Sequence, residues 1–545
     1  MVKNIAEVSR RISKVLKIPT ADLLANIRKS KLFVLAARQI SLEDAEKIRA
    51  MDLEGVKLIE SPQRVYPLNE QLAQVLGFVG TDGKGLSGLE LQFDDFLKGQ
   101  DGLRIVQKDA TGKKILAVDS SPDDQQNGND LILTIDSMIQ AIAEEELKAA
   151  VSKYNAKGGT VIITRPHTGE ILAMASQPGF NANSPGTTTA DRWRNRAITD
   201  IYEPGSTFKV VTMMAALSQG LKNLDDIIFC ENGKYQVFGE TINDPESHGW
   251  LSFRNVFKYS SNIGTAKIAL ELGKENLFKA ARNLGFGNRS GIELPGEVPG
   301  ILRKPTEWSR FSLAAISYGH EIAVTPLQMA MAYGAIANGG LLMKPAIVKS
   351  IKSKSKESIY EFRPESIRRV MTSSVAQTIT DVLQAVVTEG TGDLARIPNG
   401  PVAGKTGTAQ KLNSNHNGYS NSKFIASFAG FYPAEHPDYL IFLCIDEPFP
   451  THSGGKVAAP TFRKILERIL SVYQEAPIRN RKGVKRLTTS TTKMIPNLNG
   501  RRLETVKKIL RNLGIKYTTK GSGDIVITQQ TEINKDSGEI KKITL

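Results

Sequence analysis

The chain has 545 residues, 40% hydrophobic and 23% charged, with a formal net charge of +15. This balance is that of soluble globular proteins rather than disordered ones, and at roughly 100 to 200 residues per domain the length predicts three or four domains. No stretch reaches the roughly 18 consecutive apolar residues of a membrane span, and residues 1–16 lack the apolar core and cleavage site of an export signal.

In chain order, residues 1–125 read as an irregular α+β module with helical spacing over 42–50 and 68–75 and a Gly-punctuated run over 77–102. The pattern sharpens at Asp130. A short apolar strand over 131–135 leads to Asp136 as a helix N-cap, and residues 139–151 carry the helical period. Strands over 159–164 and 171–175 flank the turn Arg165-Pro166-His167-Thr168-Gly169, a β-hairpin. Three more strands are predicted over 402–411, 424–431 and 439–445, followed by an amphipathic helix over 458–473. If the strands from both ends share one sheet, with the helical middle (205–385) packed on it, residues 126–476 form one α+β domain.

Residues 477–493 have no apolar period and read as a basic linker. Residues 494–545 read as a small unit, with a strand at 494–496, a helix over 503–513 closed by Gly514, and strands over 524–529 and 540–545. From 477 onward there are 16 Lys and Arg against 5 Asp and Glu, a net +11. Such a tail is either solvated surface or a contact for an anionic partner, and no zinc-finger or aromatic-basic pattern accompanies it to favour nucleic acid.

Candidate chemistry begins at Glu203-Pro204-Gly205-Ser206-Thr207-Phe208-Lys209. Pro-Gly before and Gly220 after delimit a helix whose interior is apolar almost all round, which predicts that it runs through the core. Ser206 and Lys209, three residues apart, share its first turn. A desolvated lysine favours the neutral amine, able to take the serine proton, and the free N–H groups at the helix start favour developing negative charge. Ser-x-x-Lys alone is a weak signal. It recurs at Ser353, Ser420, Ser453 and Ser490 in polar stretches, and a plain N-cap with a snorkelling lysine would look the same.

Two further motifs change the weight. Ser260-Ser261-Asn262 precedes a helical run, and Lys405-Thr406-Gly407-Thr408 lies on a predicted strand. Ser-x-x-Lys, Ser-x-Asn and Lys-Thr-Gly in this order are the three-part signature of penicillin-binding proteins and class A β-lactamases. The rival reading of Gly404-Lys405-Thr406 as the end of a phosphate-binding loop fails on the missing first glycine, position 399 being Asn. No Gly-x-Ser-x-Gly elbow supports a Ser-His-Asp hydrolase. The six histidines are scattered, and no Cys-x-x-Cys or Cys/His cluster suggests a metal; Cys230 and Cys444 read as buried thiols, with a single bridge left open.

With these motifs, and with His167-Thr168-Gly169-Glu170, Asn195-Arg196-Ala197-Ile198 and Thr325-Pro326-Leu327-Gln328, the chain resembles the class B penicillin-binding proteins. Gly77-Phe78-Val79-Gly80 and Gly88-Leu89-Glu90 resemble the end of that family's pedestal. Pro496-Asn497-Leu498, Gly500 and Gly514 resemble one PASTA repeat, although Thr531 replaces the usual proline. The resemblance implies an antiparallel sheet with helices on both sides, an α+β pedestal (dimerisation) domain before it, and a PASTA domain over 494–545.

It also implies peptidoglycan D,D-transpeptidase activity inhibited by β-lactams. Ser206 would be the nucleophile, Lys209 the base and Ser260 a proton relay. Asn262 would hold a substrate amide. Lys405, Thr406 and Thr408, with Gly407 between them, would face the substrate carboxylate, and the N–H groups of Ser206 and Thr408 would form the oxyanion hole. No cofactor or metal is required. The implied partners are peptidoglycan stem peptides, a membrane glycosyltransferase and division or elongation proteins, at the outer face of the cytoplasmic membrane. The family's membrane anchor and Arg-Gly-x-Ile-x-Asp-Arg motif are not in the chain, which reads as a truncation or a misplaced start. Alternatives are a D,D-carboxypeptidase, a serine β-lactamase, for which no Glu-x-x-Leu-Asn follows the Ser-x-Asn turn, and an idle wall-binding scaffold.

Overall fold

Asn4 starts the first helix, α1 (Ile5–Leu16), by accepting the Glu7 N–H on its side chain. The apolar positions among its basic residues fall on one face, where Val8 and Ile12 pack on Leu23 of α2 (Thr20–Lys29). Ser41 caps α3 (Leu42–Ala50), the helix predicted there. The helix predicted over 68–75 shrinks to Ala73–Leu76. Asn69 and Leu72 take φ of 53° and 60°, a left-handed backbone that an α-helix does not carry. Gly77 is obligatory where it stands: at φ +76°, a Cβ would lie 1.9 Å from the Ser87 carbonyl oxygen.

The structure is a computed structural model that describes residues 4–29, 33–99, 106–108, 114–117, 127–412 and 418–473, together with 503–504, 506–507, 517–519, 523–524, 530–533 and 540–544. It divides into two units, Met1–Val472 and Tyr473–Leu545. In the first, the strand β1 (Asp130–Leu133) stays outside the main sheet and pairs with Val348–Lys352. Asp136 then caps α4 (Ser137–Lys153), accepting the Met138 and Ile139 N–H groups at 3.0 and 3.2 Å. The predicted hairpin follows as β2 (Gly158–Thr164) and β3 (Ile171–Gln177).

The middle is helical around α5 (Lys209–Ser218), α6 (Asn262–Leu272), α7 (Pro326–Ala337) and α8 (Ser373–Glu389). It also holds small ribbons that the helical reading missed, Ile227–Phe229 with Trp250–Ser252 and Lys234–Val237 with Glu240–Asn243. After them come β4 (Ala403–Leu412), β5 (Tyr419–Tyr432), β6 (Tyr439–Asp446) and the last helix, α9 (Gly454–Tyr473).

Strands from both ends of the domain do form one antiparallel sheet, in the order β4-β5-β6-β2-β3. Strand β6 shows why it is stable. Its side chains alternate between two cores: Leu440, Phe442 and Cys444 face α5, α6 and α7, whereas Ile441, Leu443 and Ile445 face α4 and α9. All seven residues from 439 to 445 are buried, and each large aliphatic contributes about 1.5–3 kcal/mol by leaving water. Strand β4 is the sheet's edge, and its free side faces the turn that precedes α5.

In the second unit, Ile540–Thr544 pairs antiparallel with Gln530–Ile533 and parallel with Tyr517–Thr518. The strand predicted over 540–545 is present. Of the helix predicted over 503–513, the described residues 503–504 and 506–507 are helical. The linker 477–493, the strand at 494–496 and most of the strand predicted over 524–529 lie outside the described residues. Both cysteines are buried and free, so the open question of a bridge closes as two thiols.

Candidate active site

Ser206 sits on a 3₁₀ turn, Gly205–Phe208, and not on the first turn of the α-helix; α5 begins at Lys209. The tighter turn follows from what precedes it. Pro204 holds φ at −71°, and Gly205 takes φ +55° in close contact with β4, where a Cβ would lie 3.2 Å from Ala409 Cβ and from the Thr408 carbonyl oxygen. Three hydrogen bonds pin the turn. Gly205 N–H donates to Gly319 O (3.1 Å), the Thr207 hydroxyl to Pro204 O (2.8 Å) and the Tyr333 hydroxyl to Thr207 O (2.8 Å). Lys209 follows at the head of a helix buried from Lys209 through Ala216, in keeping with its all-round apolar sequence.

Ser260 faces this turn in the left-handed region, at φ +63°. A non-glycine residue held there is strained and must be fixed by its neighbours. Next to it, Ser261 caps α6 by accepting the Gly264 N–H at 2.9 Å. Asp244 braces Ser261 and the start of α6: it accepts from the Ser261 hydroxyl and from the backbone N–H groups of Asn262 and Ile263. The Asn262 side-chain amide donates to Asn243 O at 2.9 Å and is partly exposed.

Two amines meet on one hydroxyl. Lys209 Nζ donates to the Ser260 carbonyl oxygen and to its Oγ (3.2 Å), and Lys405 Nζ donates to the same Oγ (2.9 Å). Both lysines are almost fully buried, at 0% and 1% exposure. Burial, and then the charge of Lys405, push Lys209 well below its usual value, while Asp244 pulls weakly the other way. Burial brings Lys405 down to about 7. The pocket therefore favours the free amine of Lys209 over its charged form.

Lys405 belongs to β4, so Gly404-Lys405-Thr406 is strand and not a phosphate-binding loop. Strand alternation puts Thr406 and Thr408 on the other face from Lys405. The Thr406 hydroxyl is hydrogen-bonded to that of Thr391 (2.8 Å), and Thr408 Oγ1 accepts the Gly454 N–H at 2.9 Å. Gly407 has no room for a side chain, since a Cβ would lie 2.3 Å from Ser427 Oγ and 2.9 Å from Thr207 Cγ2. The strand can approach the Ser206 turn this closely only with glycine at 407.

Sequence reasoning missed Asp244, Thr391 and Glu203. Glu203 was visible as part of Glu-Pro-Gly-Ser, whereas Asp244 and Thr391 carry no local signal and are found only through their partners in space. Among the described residues, no group of three or more His, Cys, Asp or Glu is placed to hold a metal, and no helix is long and apolar enough to cross a membrane.

A serine on a pinned turn, near an amine whose free form is favoured by burial and a second hydroxyl shared by two amines, is equipped for acyl transfer through an ester without a histidine base. Comparison with known proteins gives this chemistry its family. Residues 159–467 match the penicillin binding protein transpeptidase domain and residues 1–133 the penicillin-binding protein dimerisation domain. Stage V sporulation protein D of Bacillus subtilis is 35% identical over 532 residues, covering 96% of this chain and 82% of that protein. The peptidoglycan D,D-transpeptidase FtsI of Escherichia coli K12 is 33% identical over 472 residues, covering 86% of this chain and 77% of FtsI. The crystal structure of penicillin binding protein 3 from Mycobacterium tuberculosis complexed with ampicillin superposes with a TM-score of 0.70 at 31% identity, covering 77% of this chain and 92% of that one.

The chain belongs to the penicillin-binding protein transpeptidase family, in its class B arrangement with a dimerisation domain before the catalytic domain. Its activity is that of a serine-type peptidoglycan D,D-transpeptidase.

Proposed function

We propose that Ser206 is the nucleophile, and that Lys209 takes its proton as Oγ attacks the penultimate D-Ala carbonyl of a stem peptide. The convergence of Lys209 and Lys405 on Ser260 Oγ, beside the Ser206 turn, carries this reading. The carbon–nitrogen bond to the terminal D-Ala breaks, and Ser260 passes the proton from Lys209 to the leaving amine. An acceptor amine of a neighbouring stem peptide then attacks the Ser206 ester. One of its protons returns by the same relay to Ser206 Oγ, leaving a cross-link and the free enzyme.

Lys405, in its charged form, faces the substrate carboxylate with the Thr406 and Thr408 hydroxyls at the strand edge, and Asn262 holds a substrate amide. The N–H groups of Ser206 and Thr408 hold the oxyanion, whose stabilisation commonly contributes more than any other effect to the rate of acyl transfer. The contact between Gly205 and Thr408–Ala409 supports that pairing, because it brings the two backbones together. Replacing Lys209 by Arg tests the base. Arginine keeps a long basic side chain but stays protonated, so it removes the group able to accept a proton.

The same reading divides the chain into a pedestal (1–125), a transpeptidase domain (126–476), a basic linker (477–493) and a PASTA domain (494–545). The enzyme acts at the outer face of the cytoplasmic membrane, with a membrane glycosyltransferase and division or elongation proteins as partners, and the +11 tail strengthens attachment to the anionic cell wall. Sedimentation with purified sacculi, comparing the full chain with one ending at Ala476, tests the tail. Equal binding by both would refute it.

A further inference from the structure

Glu203 has no part in the proton path above, yet three groups from two other segments meet on its side chain, which is only 14% exposed. Its Oε1 accepts the Glu321 backbone N–H at 2.9 Å, and its Oε2 lies 3.3 Å from His320 Nδ1. The Tyr419 hydroxyl, at the start of β5, is hydrogen-bonded to the same carboxylate. Glu203 precedes Ser206 by three residues. Gly205 N–H bonds to Gly319 O, and at 319 a Cβ would lie 2.2 Å from the Gly205 carbonyl oxygen, so the 318–321 turn is packed directly against the nucleophile's backbone.

The partners are otherwise committed. The Glu321 carboxylate is paired with Arg303 and accepts the Ser312 hydroxyl at 2.6 Å, so the backbone N–H is what it offers Glu203. The His320 ring stands edge-on to Tyr419 at 4.9 Å and to Tyr318 at 5.4 Å. Burial brings His320 down to about 4, so near neutrality it is a neutral imidazole.

We propose that Glu203 is a positioning residue for acylation. By tying the Ser206 turn to the 318–321 turn and to Tyr419 on β5, it holds the nucleophile at one fixed spacing from the neighbouring strand that carries Lys405. It acts through Ser206 and touches neither substrate nor proton. Its loss lowers the acylation rate constant and leaves the initial, non-covalent binding of the β-lactam unchanged. A displacement of about 1 Å at a reacting atom costs roughly 10²-fold.

The test separates the two steps by rapid-mixing kinetics with a fluorescent penicillin on the full chain, for wild type, Glu203→Ala, Glu203→Gln and Tyr419→Phe. Glu203→Ala should acylate about 10²-fold more slowly with its non-covalent dissociation constant within about twofold of wild type. Glu203→Gln keeps an oxygen for the Glu321 N–H and should recover most of the rate, with Tyr419→Phe between the two. A folded Glu203→Ala protein that acylates at the wild-type rate would overturn the proposal, as would Glu203→Gln being as slow as Glu203→Ala. If Glu203→Ala does not fold, Tyr419→Phe acylating at the wild-type rate, or Glu203→Gln acylating more slowly than Tyr419→Phe, would overturn the proposal. The proposal rests on Ser206 as nucleophile, and peptide mapping of the wild-type adduct checks that separately: a misplaced adduct fails the site reading, whereas a correct adduct with unaltered variant rates fails Glu203 alone.

Discussion

Lys209 and Lys405 are equally buried and share one hydroxyl, yet they are not equivalent. Lys209 stands at the start of α5, where burial lowers it first and the charge of Lys405 pushes it further down. Lys405 lies on an edge strand, and burial alone lowers it, to about 7. Burial acts on both lysines, and a neighbouring positive charge is added for Lys209 alone. A neighbouring charge, and not burial alone, sets the two lysines apart.

The largest effect should come from making the two alike. Lys209→Arg places a permanent cation at the helix N-terminus, and penicillin acylation should fall by about 10²–10⁴, the usual range for losing a general base. Near-wild-type acylation by this variant, folded by circular dichroism, would show that the Ser206 proton goes elsewhere.

A second prediction concerns pH. In the free enzyme Lys405 loses its proton as pH rises through about 7, so binding of a carboxylate-bearing β-lactam before acylation should weaken across that range. Lys405→Arg keeps the charge at every accessible pH and should flatten this limb, even if its overall affinity is lower. Lys209 acts in the opposite sense. Its folded value is depressed, so the free amine persists well below the ordinary lysine range, and acylation fails only where falling pH finally protonates it. A dissociation constant that does not change between pH 6 and 8 in the wild-type protein would remove Lys405 from carboxylate recognition.

Asp244 sharpens the comparison from the other wall. Because it braces the turn on which both lysines converge, Asp244→Ala leaves the Asn262 and Ile263 N–H groups without their acceptor and should cost about 1–2 kcal/mol of stability. Denaturant unfolding measures this, and an unchanged midpoint would mean that α6 is capped adequately by Ser261 alone. The smallest effect is expected from the tail: a chain ending at Ala476 should acylate at the rate of the full chain, and slower acylation would show that residues beyond 476 support the catalytic domain.

The parts of this picture legible in sequence share a physical cause. The sheet strands were visible because a strand buried on both faces, such as 439–445, is an unbroken apolar run. The ribbon pairing Lys234–Val237 with Glu240–Asn243 was not, since four half-exposed residues around Phe238 and Gly239 carry too short a pattern. The helix over 68–75 was over-read because Leu68, Leu72 and Val75 keep helical spacing while the backbone at Asn69 and Leu72 turns left-handed. In the site, Ser206, Lys209, Ser260 and Lys405 stand in short motifs. The 3₁₀ turn under Ser206 depends on Gly319 and Tyr333, more than a hundred residues away, and Asp244 precedes Ser261 by 17; neither relation has a local signature.

Every role assigned to the two lysines depends on Ser206, and no other serine, carrying the acyl group. Incubating the full chain with penicillin, digesting it and locating the adduct by mass spectrometry tests this most directly. One stable adduct is expected, on the peptide containing Ser206, and it should be lost in Ser206→Ala. An adduct on Ser260 or another serine, or no adduct on folded protein, would contradict the assignment.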